Sequence, residues 1–526
     1  MLSKVVLLGA LLLLQASLSG CGGEPLSPSP AYDGEGNLLR PLTQPLKDVN
    51  VLLISIDTLR ADHLGCYGYH RPISPHIDGL AEQGILFSQA LSASPWTTPS
   101  QLSILTSLQP SVHKVFAYPF PGSLDPKVVT LAEILWKQGF RTAGFTEGGY
   151  AKGATGLGHG FETFPEWPGD RESYFSHELA PSRLEENTDR LLAWLEQNSR
   201  ERFFLFFQTY EPHFEYRPPL EYLRIVNPGF SAETEERALA GAVARWNQGK
   251  PLSVEEEGIL YRHFLQGDLN RFPVRRGREL TRVLHAFPAG KWTTSPTFQT
   301  DLAYIIDLYD AEILFTDVCV GRIMEKLKQL ELLDSTLIVF TSDHGEGLMD
   351  HGIVYHGKNL YDELLRVPLI LRLPDGFAAG TTISDLVRTT DIMPTVLDFL
   401  GLPANRDAQG TSLLPLLAGR RSFRESLGEA LSIKGGEHNL VSLRTDRWKY
   451  VRHSRDGAEE LYDLERDPGE RVDVSDRFPE VVRDLQERLS FLAERNQQAA
   501  QKFSAAGQAF SEEDRGRLES LGYIVK

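Results

Sequence analysis

Two aspartates close two apolar runs that lie far apart in the chain. Val51-Leu52-Leu53-Ile54-Ser55-Ile56 leads into Asp57, and Thr336-Leu337-Ile338-Val339-Phe340-Thr341-Ser342 leads into Asp343 and His344. A carboxylate at the end of a buried strand is costly unless it is paired or bound to a cation. Two carboxylates and one imidazole suit a single divalent metal ion. Zn or Mn fits this donor set better than Ca or Mg, which prefer all-oxygen surroundings. A hydroxyl is available to join them in Ser94-Pro95-Trp96-Thr97-Thr98-Pro99-Ser100-Gln101. Pro99 fits the first position of a helix and Thr98 its cap. Thr97 is then expected just before the helix, whose free N–H groups favour an anion. A threonine hydroxyl made acidic by a metal is a nucleophile.

Such residues meet only if the two runs are neighbouring strands of one sheet. In an open parallel sheet the carboxyl ends of the strands converge on one crevice, and ligands bind there. Strand-like runs recur at Val49 to Ile56, Arg141 to Phe145, Phe203 to Gln208, Leu337 to Phe340 and Pro368 to Leu373. Helical patterns stand between and after them at Ser182 to Glu196, Asp301 to Lys328 and Asp391 to Leu400. This alternation predicts an α/β fold with a mainly parallel sheet flanked by helices. Residues 217–300 interrupt the rhythm. A helix is expected after Ser231, and a second from Ser253, with Glu256 completing a capping box. Arg271, Arg275, Arg276, Arg278 and Arg282 follow, as a solvated basic face or as a lid for an anionic substrate. Beyond residue 420, Leu440 to Thr445, Trp448 to His453 and Glu460 to Tyr462 predict a small antiparallel sheet, with a helix near Pro479 to Glu494. The expected organisation is a catalytic domain at 48–420 and a C-terminal subdomain with tail at 421–526. The closing run Leu521-Gly522-Tyr523-Ile524-Val525 is expected to dock on the body.

The 526 residues carry a formal charge of −17, with 41% hydrophobic and 24% charged residues. This is ordinary globular composition, and the acidic balance argues against nucleic acid as a partner. Lys4 and the apolar run Val5 to Leu14 read as an export signal, too short for a membrane span. It ends in Leu18-Ser19-Gly20-Cys21, which resembles a bacterial lipobox. Residues 1–20 are then a signal peptide, Cys21 the lipidated residue and 21–47 a Gly-, Pro- and Ser-rich tether. The expected location is then the bacterial cell envelope, with the protein held to the membrane through Cys21. Cys66 and Cys319 form no repeated framework and are expected to be buried and free, although sequence leaves their pairing open.

Several segments together match a family. Asp57-Thr58-Leu59-Arg60-Ala61-Asp62-His63-Leu64-Gly65-Cys66-Tyr67-Gly68 resembles the opening strand and loop of sulfatases, within the alkaline phosphatase superfamily. Thr97 to Leu108 resembles their nucleophile motif. Ser342-Asp343-His344-Gly345-Glu346 and Lys358-Asn359-Leu360-Tyr361-Asp362-Glu363 resemble the second metal and anion segment. Asp391-Ile392-Met393-Pro394-Thr395 and Leu461-Tyr462-Asp463-Leu464 resemble later landmarks. The order is consistent over roughly residues 48–480. The departures are informative. Sulfatases carry a Cys or Ser that becomes formylglycine, followed by Pro and Arg. Here Thr97, Pro99 and Gln101 stand in those places, and threonine is not expected to yield formylglycine. Asp57 is followed by Thr58 rather than a second acid. The usual Lys-Trp-His segment is not evident near Lys152. Cys66 lies in the opening loop without the Pro-Ser-Arg that would mark a nucleophile.

Asp57, Thr97, Asp343 and His344 look instead like the metal set of superfamily members with a threonine nucleophile. The resemblance implies that His213 faces the substrate and that Lys358 contacts the bound anion. His356 lies beside Lys358; the resemblance to two-zinc relatives offers His213 and His356 with Glu211 as an alternative second metal site, against which the Lys358 cation argues. His113 and His351 are weaker candidates. The expected reaction is attack of Thr97 on phosphorus or sulfur. Lys358 offsets the anionic oxygens, and His213 or His356 protonates the leaving oxygen. Formylglycine sheds sulfate through its second hydroxyl, a route closed to threonine, so phosphoesters are favoured over sulfate esters. The alternatives are an envelope phosphotransferase and a degenerate sulfatase-like binding protein, the latter supported by Gln101.

Overall fold

The computed structural model describes residues 48–116, 122–167, 183–265, 293, 297–420, 424–431, 439–454 and 456–504. The expectations for Cys21 and its signal and tether, for the Arg271–Arg282 cluster and for the closing apolar run lie outside the described residues. No helix among the described residues is long and apolar enough to cross a membrane.

A seven-stranded sheet runs through the molecule. Its strands are β1 (Asn50–Ile56), β2 (Ile85–Phe87), β3 (Arg141–Phe145), β4 (Phe203–Thr209), β5 (Thr336–Ser342), β6 (Leu369–Arg372) and β7 (Thr381–Ile383), in spatial order β7-β2-β6-β5-β1-β4-β3. Only β6 runs against the others, pairing antiparallel with β5 and β2. β1 is central, with Val51 opposite Phe204 on one side and Leu337 on the other, both in parallel register. Every residue of β1, β4 and β5 is buried. Their side chains alternate between two cores, as the pleat requires. Leu52, Ile54, Leu205 and Phe207 face one core, whereas Val51, Leu53, Phe204 and Phe206 face the other.

Helices cover both faces. α1 (Thr97–Thr106) supplies Leu102, Ile104 and Leu105 to one core. α2 (Leu184–Asn198) and α3 (Phe298–Gln329) supply Leu191, Trp194, Ile313 and Val320 to the other. The inserted region contains helices Leu220–Val226, Ala232–Asn247 and Val254–Leu265. The capping box at Ser253 is formed, with Glu256 N donating to Ser253 Oγ and Ser253 N to Glu256 Oε2.

Four antiparallel strands, Ser426–Ala430, Leu440–Arg444, Trp448–His453 and Glu459–Asp463, form the C-terminal sheet. α4 (Pro479–Ala500) lays Leu485 and Leu489 on Leu443, Tyr450 and Leu461. The sequence pattern missed Ser426–Ala430, the edge strand β7 and its neighbour β2. The last two have three residues each, too few for period-two alternation to register. Cys66 and Cys319 are both free, Cys319 buried and Cys66 only partly so.

Candidate active site

β1 and β5 pair in parallel, so Asp57 and Asp343 leave the sheet side by side. Just past β1, Thr58 turns into the left-handed region at φ 54°. Its N–H then donates to Asp343 Oδ1 at 3.3 Å, and its hydroxyl to the Pro212 carbonyl at 2.9 Å. His344 N also donates to Asp343 Oδ1, at 2.8 Å. The Oδ1 atom of Asp343 is thereby satisfied and its Oδ2 atom is not. His344 donates from Nδ1 to the Gly345 carbonyl at 2.9 Å, which leaves the Nε2 lone pair free. Asp57 Oδ2 accepts from the Thr97 hydroxyl at 3.2 Å, which leaves Oδ1.

Asp57 Oδ1, Asp343 Oδ2 and His344 Nε2 are all fully buried, and none has a hydrogen-bond partner among the described residues. They face one another, with His344 Nε2 3.6 Å from Asp57 Oδ1 and 3.9 Å from Asp343 Oδ2. Three unpartnered acceptors in one buried place are unfavourable by themselves. Burial pushes the Asp57 carboxyl well up, reinforced by the charge of Asp343. It lifts Asp343 to about 7 and pushes His344 down. A divalent cation among these atoms resolves the conflict, because it favours both carboxylates and a neutral imidazole. The residues fit a metal, and they form the one such group of His, Cys, Asp and Glu among the described residues.

The α1 start differs from expectation. Thr97 is the first helical residue, with Trp96 as the cap residue, and Thr98 does not cap. The Thr98 hydroxyl donates instead to the Tyr150 carbonyl at 2.7 Å. This rotation brings Thr97 over Asp57. Ser100 fastens the same turn to β5 by donating to the Asp343 carbonyl at 2.6 Å. Gln101, in the arginine position of the resemblance, is fully buried and donates to Ser55 Oγ at 2.9 Å.

The histidines gather on the open side. His356 lies against His344, ring centroids 4.5 Å apart, and against His213 at 4.9 Å. His356 Nδ1 is held by the buried carboxylate of Glu346 at 3.1 Å. His213 Nδ1 faces the Phe214 carbonyl. Burial lowers the His213 pKa to about 3, so that ring is neutral. Glu211 does not join the histidines as a second cation site; its Oε2 accepts from Thr209 Oγ1 at 3.0 Å. Lys358 is exposed, with no ion pair or hydrogen bond among the described residues. His113 is buried against Ser103 and the Pro99 carbonyl, inside the fold. His351 pairs with Glu363 at 2.8 Å.

Sequence alone gives Glu346 a place in a motif but no role. Its place two residues beyond His344 was the available signal. Glu147 was missed altogether. It follows β3 into the crevice, is buried, and adds repulsion at Asp57. Nothing in its sequence neighbourhood marks it.

Comparison with known proteins identifies the family. Residues 49–402 match the Sulfatase family, and residues 350–495 match the C-terminal family of N-sulphoglucosamine sulphohydrolase. Arylsulfatase K of Bos taurus is 27% identical over 502 residues, covering 88% of this chain and 84% of its own. N-acetylglucosamine-6-O-sulfatase of Bacteroides thetaiotaomicron is 24% identical, covering 87% and 88%. A solved structure in complex with its substrate D-glucosamine-2-N,6-O-disulfate superposes with a TM-score of 0.65 at 21% identity, over 87% of this chain and 99% of that one. The phosphonate monoester hydrolase of Agrobacterium radiobacter gives 0.62 at 23%, over 85% and 96%. The chain therefore belongs to the sulfatase family, whose members hydrolyse sulfuric and phosphoric esters.

Proposed function

We propose that this protein is a metal-dependent ester hydrolase in which Thr97 is the nucleophile and phosphoesters are the preferred substrates. The observation that carries the reading is the Thr97 hydroxyl, 3.2 Å from Asp57 Oδ2, beside three unpartnered ligand atoms. A divalent cation bound there supplies positive charge that makes the hydroxyl acidic and offsets the ester oxygens.

The remaining steps belong to the chain's own residues. The hydroxyl proton already points at Asp57 Oδ2. Thr97 Oγ1 forms a bond to phosphorus as the bond to the alcohol oxygen breaks. The departing oxygen takes a proton from a crevice histidine. His356 suits that task better than His213, because its Nδ1 is held by the Glu346 carboxylate at 3.1 Å, which fixes the ring against His344. Lys358, on the segment that follows, places one cation toward the transferring oxygens. Water then attacks the phosphothreonine and returns a proton to the histidine, the bond from phosphorus to Thr97 Oγ1 breaks, and Thr97 regains the proton that its hydroxyl had passed to Asp57 Oδ2.

Gln101 in place of arginine, with Glu147 and Glu346 in the lining, leaves few cations for a dianion. This favours monoanionic esters, namely phosphodiesters, phosphonate monoesters or sulfate esters, over phosphate monoesters; the choice of phosphorus over sulfur rests on the formylglycine route that is closed to threonine. The solved phosphonate monoester hydrolases that share the fold are consistent with that choice. The Cys21 lipobox supports action in the bacterial envelope. The test is turnover of bis-nitrophenyl phosphate, nitrophenyl phosphate and nitrophenyl sulfate, with intact-mass analysis of trapped enzyme. Thr97 is expected unmodified at rest and phosphorylated when trapped. Undiminished turnover by Thr97→Ala removes the nucleophile. Faster turnover of the sulfate than of either phosphate removes the phosphoester preference. Added alcohols that divert product point to a phosphotransferase. Metal binding without any turnover supports the degenerate binding protein that Gln101 suggests.

A further inference from the structure

Lys358 has no side-chain partner among the described residues to aim it, so its position comes from the backbone that carries it. That backbone is held on both sides. On one side Gly357, at φ 84°, lies so close to the Trp96 ring that a Cβ would come within 2.1 Å of a ring carbon. On the other side, Asp362 N donates to Glu470 Oε2 at 2.6 Å. The Asp362 carboxylate meets Lys449 Nζ at 2.9 Å and Arg444 Nη1 at 3.1 Å. Lys449, fully buried, also reaches Glu470 Oε1 at 2.7 Å. Lys449 and Arg444 stand on the middle strands of the C-terminal sheet. The substrate-side loop is thus tied to the C-terminal subdomain through buried charges.

Buried ion pairs are poor stabilisers, because desolvation offsets their attraction, and apolar residues of similar size often do as well. What they add is one defined geometry. We propose that Lys449, with Asp362 and Glu470, is a positioning group through which the C-terminal subdomain sets Lys358 on the substrate. The proposal rests on the role given to Lys358 above.

The test is a double-mutant cycle on the full-length, metal-loaded protein, read as kcat on bis-nitrophenyl phosphate. Asp362→Asn is the first variant, since it leaves Lys449 paired with Glu470. A drop in kcat of about tenfold is expected, with metal content unchanged. In a Lys358→Ala background the same substitution should change kcat less than about twofold, because the group being positioned is gone. Lys449→Met should behave alike. A full additional loss in the Lys358→Ala background, no loss in either single variant, or failure of both variants to fold would each overturn the proposal. An active Thr97→Ala enzyme would sink the nucleophile assignment instead and leave this coupling measurable.

Discussion

The metal crevice and the Lys449 brace are both buried and both rich in charge, yet they are built in opposite ways. In the crevice, Asp57 Oδ1, Asp343 Oδ2 and His344 Nε2 face each other with no donor among them. In the brace, Lys449 lies between Asp362 and Glu470, and Arg444 takes the second Asp362 oxygen. Burial moves the groups accordingly. Asp343 rises to about 7, mainly through desolvation. Asp362, partly buried, is brought down to about 2 by Arg444 and Lys449 against the desolvation that would raise it. A buried site that leaves its acceptors unpartnered is arranged for something from outside the chain. A site that pairs them internally is arranged for the chain itself.

This contrast can be broken by experiment. The largest effect belongs to Thr97→Ala, which should lower kcat by about 10⁴-fold or more and leave stability within about 1 kcal/mol. A large loss of stability would make Thr97 a structural residue of α1. Next is Lys449→Met, which leaves Asp362 and Glu470 less well paired and should cost about 3–5 kcal/mol in denaturant unfolding. An unchanged midpoint would mean the brace is not holding.

Glu429 sits between the two extremes. It is buried, and its Oε2 accepts one backbone N–H, from Ser111 at 2.8 Å. Burial raises its pKa from 4.5 to about 7. The folded state therefore keeps this proton longer than the unfolded chain does. Its contribution is full below pH 4.5 and is lost as pH rises toward 7, by at most about 3 kcal/mol. Glu429→Gln should flatten that slope in unfolding measured from pH 4.5 to 8. A slope that persists would assign it to other groups.

The smallest effect sharpens the comparison at the crevice itself. Asp343→Asn removes an uncompensated carboxyl, so in chelator it should unfold no earlier than the parent, and later by about 1–2 kcal/mol at pH 8. Added Zn or Mn should raise the melting temperature of the parent and not of the variant. Equal metal responses would move the cation elsewhere.

The alternation of apolar runs and amphipathic helices made the sheet legible from sequence, because a strand buried on both faces reads as a continuous apolar run. β1, β3, β4 and β5 all appear where that pattern puts them. Asp57, Asp343 and His344 were legible for the same reason, since parallel strands deliver their carboxyl ends to one edge. What stayed hidden depends on contacts between distant segments. The α1 cap shifted to Trp96 once Thr97 met Asp57 and Ser100 met the Asp343 carbonyl. Glu346 acquired a role only when the chain returned with His356, and Lys449 only when the C-terminal sheet reached Asp362. Sequence by itself determined which residues end the strands, because period and polarity are local properties. The tertiary structure alone decided which buried charges are paired and which are left for a ligand, because pairing is settled by residues that meet only after the chain has folded.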